Sequence, residues 1–264
     1  MTGFTDKQIV SMLGVHSLWS KRACKEILRR PDDFIPLLID ILDKTINDPE
    51  SLGDGDPLIP TALLLAQLRE KQAYPLLVKL INYDEDSVNY LWGDALTECY
   101  VSMLRDTFNG DASLLNKVIE NRSASPWARS MALYAWGMHY LDGHIERQEI
   151  VKYFRYLIHE TYSGKLDDDD KIVLSHIADT IREQQLEELT DDVQTLYAKN
   201  AIDKSLCGSR EEYVNDFQNP LYGPDHRHVD DVIHELEGWH WFKEEEPDED
   251  NDYDDDYDDF DDDI

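Results

Sequence analysis

Tyr74–Asn82 reads YPLLVKLIN, and Ala112–Glu120, 38 residues later, reads ASLLNKVIE. The two stretches share Leu-Leu-x-Lys-(Leu/Val)-Ile. Each is followed by a second helical segment carrying an Ala-Leu pair: Ala95-Leu96 after the first, Ala132-Leu133 after the second. An earlier copy places Ala62-Leu63 in PLIPTALLLAQLRE (57–70). A looser later copy pairs EIVKYFRYLI (149–158) with KIVLSHIADTI (171–181). A period of roughly 34–41 residues with two helices per unit belongs to HEAT-like helical repeats. The physical reason is burial: one short amphipathic hairpin cannot cover its own apolar stripe, and stacked neighbours share a continuous core.

The pattern continues outward from these two copies. In FIPLLIDILDKTI (34–46), Phe34, Leu37, Leu38, Ile41 and Leu42 follow the i, i+3, i+4, i+7, i+8 spacing of one helix face. Strand-like alternation is absent, and turn-forming runs such as NDPESLGDGDP (47–57) and NGD (109–111) fall between helical segments. The expected fold is all-α: a HEAT-like α-solenoid of helical hairpins over residues 1–243, four or five units of it between about Phe34 and Phe217. TDKQIVSMLG and LWSKRACKEILRR cap its first end. After Pro220, a short helix from about Val229 is expected to pack Val232, Ile233, Leu236 and Trp239 onto the last unit. A disordered acidic tail (244–264), too poor in apolar residues to offset ordering entropy, completes the chain.

Charge narrows the partners. The 264 residues carry 57 acids against 25 Lys and Arg, a net charge of −32. Fifteen acids and no base lie beyond Lys243, so the body, with 42 acids and 25 bases, is itself at −17. Such a chain repels phosphate backbones and anionic headgroups, which excludes direct nucleic-acid and membrane-surface binding and favours a basic protein or peptide. The first residues lack the basic and apolar regions of a signal peptide, and no apolar run approaches a membrane span. Cys24, Cys99 and Cys207 lie far apart, which suits a reducing cytoplasm.

Spacing also marks the candidate sites. In LWGDALTECY (91–100), Asp94 and Glu98 share one face of a second helix whose other face carries Leu91, Trp92, Ala95, Leu96, Cys99, Met103 and Leu104. Second helices line the concave surface of HEAT-like stacks, so Asp94, Glu98, Arg129 and His139 are expected to contribute to an acidic groove. A carboxylate pair without a nucleophile or metal ligand nearby does not define a reaction, and no catalytic residue is assigned. The tail adds Tyr253, Tyr257 and Phe260, spaced i, i+4, i+7, which align if the tail folds as a helix on a basic partner. Docking on its own acidic body is electrostatically disfavoured, so that partner is expected to be another molecule. The alternative function is a metal-dependent one: HRHVDD (226–231) sets His226 or His228 beside Asp230 and His234, the last two at i, i+4. Cys207 in SLCGSR has no partnering histidine marked in sequence. The acids of LDDDDK (166–171) suit a helix N-terminus. SGK (163–165) lacks the first glycine and the strand of a phosphate loop, and no cofactor is expected.

With LWGDALTE (91–98), ARSMALYAW (128–136), AKNAID (198–203) followed by REEYVNDF (210–217), and HVDDVIHELEGWHWF (228–242), the chain resembles the bacterial family catalogued as domain of unknown function 1186. The resemblance covers most of residues 30–242. It implies a HEAT-like helical fold without an assigned activity. Some relatives end in a Cys-rich, zinc-binding SEC-C motif, and this chain ends in acid instead.

Overall fold

The computed structural model describes residues 3–14, 17–49, 57–218, 227–239 and 241–242. Among them the fold is all-helical. In order, the helices are α1 (Asp6–Ser11), α2 (Leu18–Arg29), α3 (Pro31–Asn47), α4 (Leu58–Gln67), α5 (Tyr74–Leu80), α6 (Glu85–Trp92), α7 (Ala95–Glu98) and α8 (Tyr100–Asp106). They continue with α9 (Ser113–Ile119), α10 (Pro126–Leu141), α11 (Arg147–Tyr156), α12 (Asp168–Glu183), α13 (Thr190–Ala198), α14 (Lys204–Cys207), α15 (Arg210–Gln218) and α16 (Val232–Gly238).

The two clearest copies of the sequence repeat pack as equivalent units. YPLLVKLIN forms α5 and ASLLNKVIE forms α9, and these first helices lie side by side. Their equivalent residues Leu77, Leu80, Ile81 and Leu115, Val118, Ile119 are all fully buried, while Lys79 and Lys117 between them are exposed. Neighbouring units are also tied through equivalent turns: Asn121 Nδ2 donates to Asn82 Oδ1 at 2.9 Å, and the Ser125 N–H donates to the Tyr83 carbonyl at 2.8 Å. A parallel series of second helices runs α4, α8, α10, α12, each packed on the next.

Two helices in that series, α4 and α10, are apolar on nearly every face and correspondingly enclosed. Helix α10 contacts α8, α9 and α12. Its Gly137 lets α12 approach closely: a β-carbon there would meet the Gln184 side-chain amide and stand 3.0 Å from Thr180 Cγ2.

Two expectations are corrected. The LWGDALTECY segment is not one continuous helix. Gly93, at φ +46° and ψ −131°, ends α6, and Cys99 separates the short α7 from α8. The closing helix α16 does not pack on the last unit. Val232 and Leu236 are buried, but α16 rests on α4 and α2 at the opposite end, so the chain after residue 226 lies against the first units. Nothing in the sequence near Val229 specified that long-range pairing.

Candidate functional site

The LWGDALTECY break has a structural cause. Trp92 Nε1 donates to the Leu80 carbonyl at 3.0 Å and the Tyr100 hydroxyl to the Leu77 carbonyl at 2.8 Å, with the two rings edge to face at 4.5 Å. Both acceptors lie in the last turn of α5, where carbonyls have no partner within the helix. Holding Trp92 and Tyr100 on the same helix end requires the chain between them to turn, and Gly93 supplies the conformation.

The turn sets Asp94 and Glu98 outward on α7. Both are exposed, and neither forms an ion pair among the described residues. Asp94 borders a hollow of about 220 Å³ with Glu85, Leu96, Thr97, Ser125 and Trp127. The hydroxyls there are committed: Ser125 Oγ donates to Glu85 and accepts the Ala128 N–H as the cap of α10, while Thr97 Oγ1 donates to the Asp94 carbonyl at 3.2 Å. What remains at the hollow is Asp94 and the Ser125-bonded Glu85 beside the half-buried Trp127 ring, with Glu98 exposed one turn on in α7, an arrangement suited to holding a cationic side chain.

Arg129 and His139, expected at this groove, are not at the surface. Both are completely buried on α10, because that helix is enclosed by its neighbours on all sides. Arg129 Nη2 donates to the Tyr162 hydroxyl at 2.9 Å and lies 3.4 Å from Asp170 Oδ1; its Nε and Nη1 have no hydrogen-bond partner among the described residues. Asp170 Oδ2 also holds Arg122 and accepts the Asp167 N–H at 3.2 Å. The acids of LDDDDK therefore form the expected helix cap and, in addition, an internal ionic centre. His139 stacks on Phe108 at 3.8 Å, with Tyr74 Oη 3.4 Å from Nε2 and no partner for Nδ1 among the described residues.

Burial of the histidines has a measurable consequence. Desolvation holds His139 near a pKa of about 3 and, between Trp127 and Tyr134, His176 near about 4, both from an ordinary value of 6.5. Below pH ~6.5 the unfolded chain takes up these protons before the folded one, so stability falls with pH, by about 1.4 kcal/mol per pH unit for each histidine. Glu183 acts in the opposite sense. Desolvation raises its carboxyl to about 7, so its protonation favours the fold as pH falls from 7 towards 4.5. The expected result is a net loss of thermal midpoint between pH 6.5 and 5 that becomes steeper in Glu183→Gln. An identical profile in that variant would contradict the assignment.

Two of the described residues of the metal alternative are engaged by other side chains. His228 Nδ1 bonds Asp106 Oδ1 at 2.5 Å, Asp230 pairs with Arg69 at 3.0 Å, and the exposed His234 lies on α16, where its backbone N–H is capped by Asp231. A hollow of about 520 Å³ lies among His228, Asp230, His234, Arg105 and Glu235. Among the described residues, no three His, Cys, Asp or Glu side chains converge as metal ligands would. His226, Tyr253, Tyr257 and Phe260 lie outside the described residues. Cys207 is buried, its Sγ donating to the Ser175 carbonyl at 3.0 Å, and burial pushes its thiol up to about 12. That is the opposite of an activated nucleophile.

One feature escaped the reading of the sequence. An open groove of about 1100 Å³ runs along α11, lined by Arg147, Lys152, Arg155, Tyr156, His159 and Glu188. Its signal was the basic series on a single helix, masked by the chain's overall acidity. Arg147 is held by Glu188, and Arg155 and His159 by Asp192.

The family model described as "Protein of unknown function (DUF1186)" matches residues 8–243. The chain belongs to the DUF1186 family. The match to DUF1186 runs from within α1 to just beyond α16. An uncharacterized protein of Chlamydia muridarum (strain MoPn / Nigg) is 23% identical over 229 residues, covering 83% of this chain and 90% of the relative. One from Chlamydia trachomatis serovar D is 27% identical over 145 residues, covering 52% of this chain and 56% of the relative. No solved structure matches the chain. Among the described residues of this DUF1186 protein, no helix is long and apolar enough to cross a membrane.

Proposed function

We propose that this chain is a non-enzymatic, cytoplasmic HEAT-like binding module that recognises a basic segment of another protein, through the carboxylates beside Trp127 and the acidic tail. The observation that carries the reading is an imbalance of partners. Arg29, Arg30, Arg69, Arg105, Arg122 and Arg147 are all held by the chain's own carboxylates, whereas Asp94 and Glu98 are exposed and in no ion pair among the described residues. A cationic side chain entering the hollow meets Asp94 and Glu85 with an aromatic wall at Trp127. Acidity of both body and tail accelerates such an encounter at low salt. Adaptors, chaperone-like factors and inhibitors that mask basic surfaces all use a surface of this kind.

The test compares the full chain with its Asp94→Asn/Glu98→Gln variant as baits in the same lysate. Both side chains are exposed and in no ion pair among the described residues, so the fold is expected to persist. A Lys/Arg-rich protein retained at low salt, released at high salt, and held about 2- to 30-fold more weakly by the variant is the expected result. Equal, salt-independent recovery by both baits would remove the binding site from this surface.

A further inference from the structure

The average charge of the body conceals one cationic face. Ser17 to Arg30 carries five bases and one acid, against 41 acids and 20 bases in the remainder before residue 244. On α2 the buried side holds Ser20, Ala23, Cys24 and Ile27, and the opposite side presents Leu18, Trp19, Arg22, Lys25 and Arg29. Leu18 and Trp19 are each 46% exposed, and Phe4 packs edge-on to Trp19 at 5.8 Å while remaining 39% exposed. Arg22 lies over the Trp19 ring at 4.9 Å.

The carboxylates near this face are already engaged: Glu26 by Arg29 and Arg30, Asp6 by Arg30, and Glu237 by Lys21. Arg22, Lys25 and the neighbouring Lys7 are exposed and form no ion pair among the described residues. An aromatic and cationic helix face is thus left open at one end of an otherwise acidic molecule.

The described chain ends beside that face. Trp241 Nε1 donates to the Leu13 carbonyl at 3.0 Å, and Lys21 Nζ lies 5.9 Å above the Phe242 ring. Residues 244–264, next in the chain, carry fifteen acids, no base, and the rings of Tyr253, Tyr257 and Phe260. Eleven residues from Phe242 to Tyr253 reach at most about 36–40 Å, and a 12-residue helix such as α2 is only about 18 Å long. We infer that the outer face of α2 is the docking site of the chain's own acidic aromatic segment, 244–264, with its aromatic rings on Leu18 and Trp19 and its carboxylates on Arg22, Lys25 and Lys7. Charge complementarity and the exit point next to α2 select this occupant. Tethering supplies an effective concentration of the order of millimolar, which lets individually weak surface pairs act together. The local charge at α2 thereby reverses the repulsion expected from the body's net −17. This inference goes beyond the basic-partner reading and does not depend on it; a basic partner would compete with α2 for the same segment.

The test uses the full chain carrying Asp256→Cys, spin-labelled and observed by paramagnetic relaxation in NMR. The three native cysteines are buried, and desolvation raises their thiols, Cys24 to about 12, so the label goes to the introduced site. Broadening of the Trp19 indole and of the Leu18, Arg22 and Lys25 amides is expected at low salt. It should vanish at about 1 M salt, where the Debye length is ~3 Å, and in the Arg22→Glu/Lys25→Glu variant. As a second reading, Tyr253→Ser/Tyr257→Ser/Phe260→Ser in the full chain should raise solvent exposure of Trp19, measured by its quenching. Broadening that spares α2, persists in the charge-reversed variant, or transfers to an unlabelled copy mixed with the labelled one would overturn the intramolecular assignment.

Discussion

Replacing Asp170 by alanine is expected to destabilise the protein by about 3–5 kcal/mol, the cost of leaving a buried charge without its partner. Asp170 is 1% exposed, and the Arg129 it faces is not exposed at all. Without the carboxylate, the Arg129 guanidinium keeps, among the described residues, the Tyr162 hydroxyl at 2.9 Å and the Tyr162 ring at 5.2 Å, with Nε and Nη1 already unpartnered there. Arg122 and the cap of α12 lose the same acceptor. For a chain of this size the loss corresponds to a thermal midpoint lower by roughly 6–20 °C.

The reverse substitution separates the charge effect from general disruption. Arg129→Met removes the buried cation and its two unsatisfied donors while Asp170 keeps Arg122, so a near-neutral or stabilising change is expected. The double variant should then recover most of what Asp170→Ala loses. Calorimetric unfolding of the three variants decides the matter. A loss below about 1 kcal/mol for Asp170→Ala, or no recovery in the double variant, would show that the pair does not behave as a buried ion pair.

The same pair shows what sequence reading can and cannot reach. Leu77 and Leu115 occupy equivalent places because a helix of period 3.6 buries the same positions whatever its neighbours are, so the repeat was legible. Asp94 and Glu98 are exposed on a shared face as their i, i+4 spacing implies, although the turn at Gly93, not a continuous helix, sets them outward. Arg129 and His139 are not exposed, because their position depends on how many helices surround α10. The run SMALYAWGM (130–138) is apolar on every face, and that is the sequence signal of an enclosed helix whose polar residues must be internal. Gly93 in LWGDAL was likewise a visible breaker that the strong flanking periodicity obscured. The return of α16 to α4 had no local signal: its key acceptor, Asp106, lies more than 120 residues earlier in the chain.

That acceptor gives the second large expected effect. Asp106 ends α8, where the helix dipole disfavours a carboxylate, yet its side chain is 1% exposed. Two hydrogen bonds and an ion pair compensate: the Val229 N–H at 2.6 Å and the Arg69 guanidinium at 2.9 Å on one oxygen, and His228 Nδ1 at 2.5 Å on the other. Arg69 itself is held at φ +56°, reaching the Ala66 carbonyl at 2.7 Å and the Val229 carbonyl at 3.0 Å, so it joins the end of α4 to the returning segment. In Asp106→Ala, Arg69 and His228 can rehydrate because both are about half exposed, but the buried Val229 N–H cannot. The loss should therefore be local to residues 227–242 and amount to about 2–3 kcal/mol, or roughly a 30- to 150-fold increase in opening. Hydrogen exchange should rise by that factor at Val229, Val232 and Trp241, whose N–H groups bond Asp106, Gln67 and the Leu236 carbonyl, while α10 and α12 stay protected. Because Trp241 and Phe242 sit beside α2, release of this segment would also move the root of the acidic tail away from the cationic face. Unchanged protection at these three amides, or an equal rise throughout α10 and α12, would show that Asp106 is not what fastens the segment.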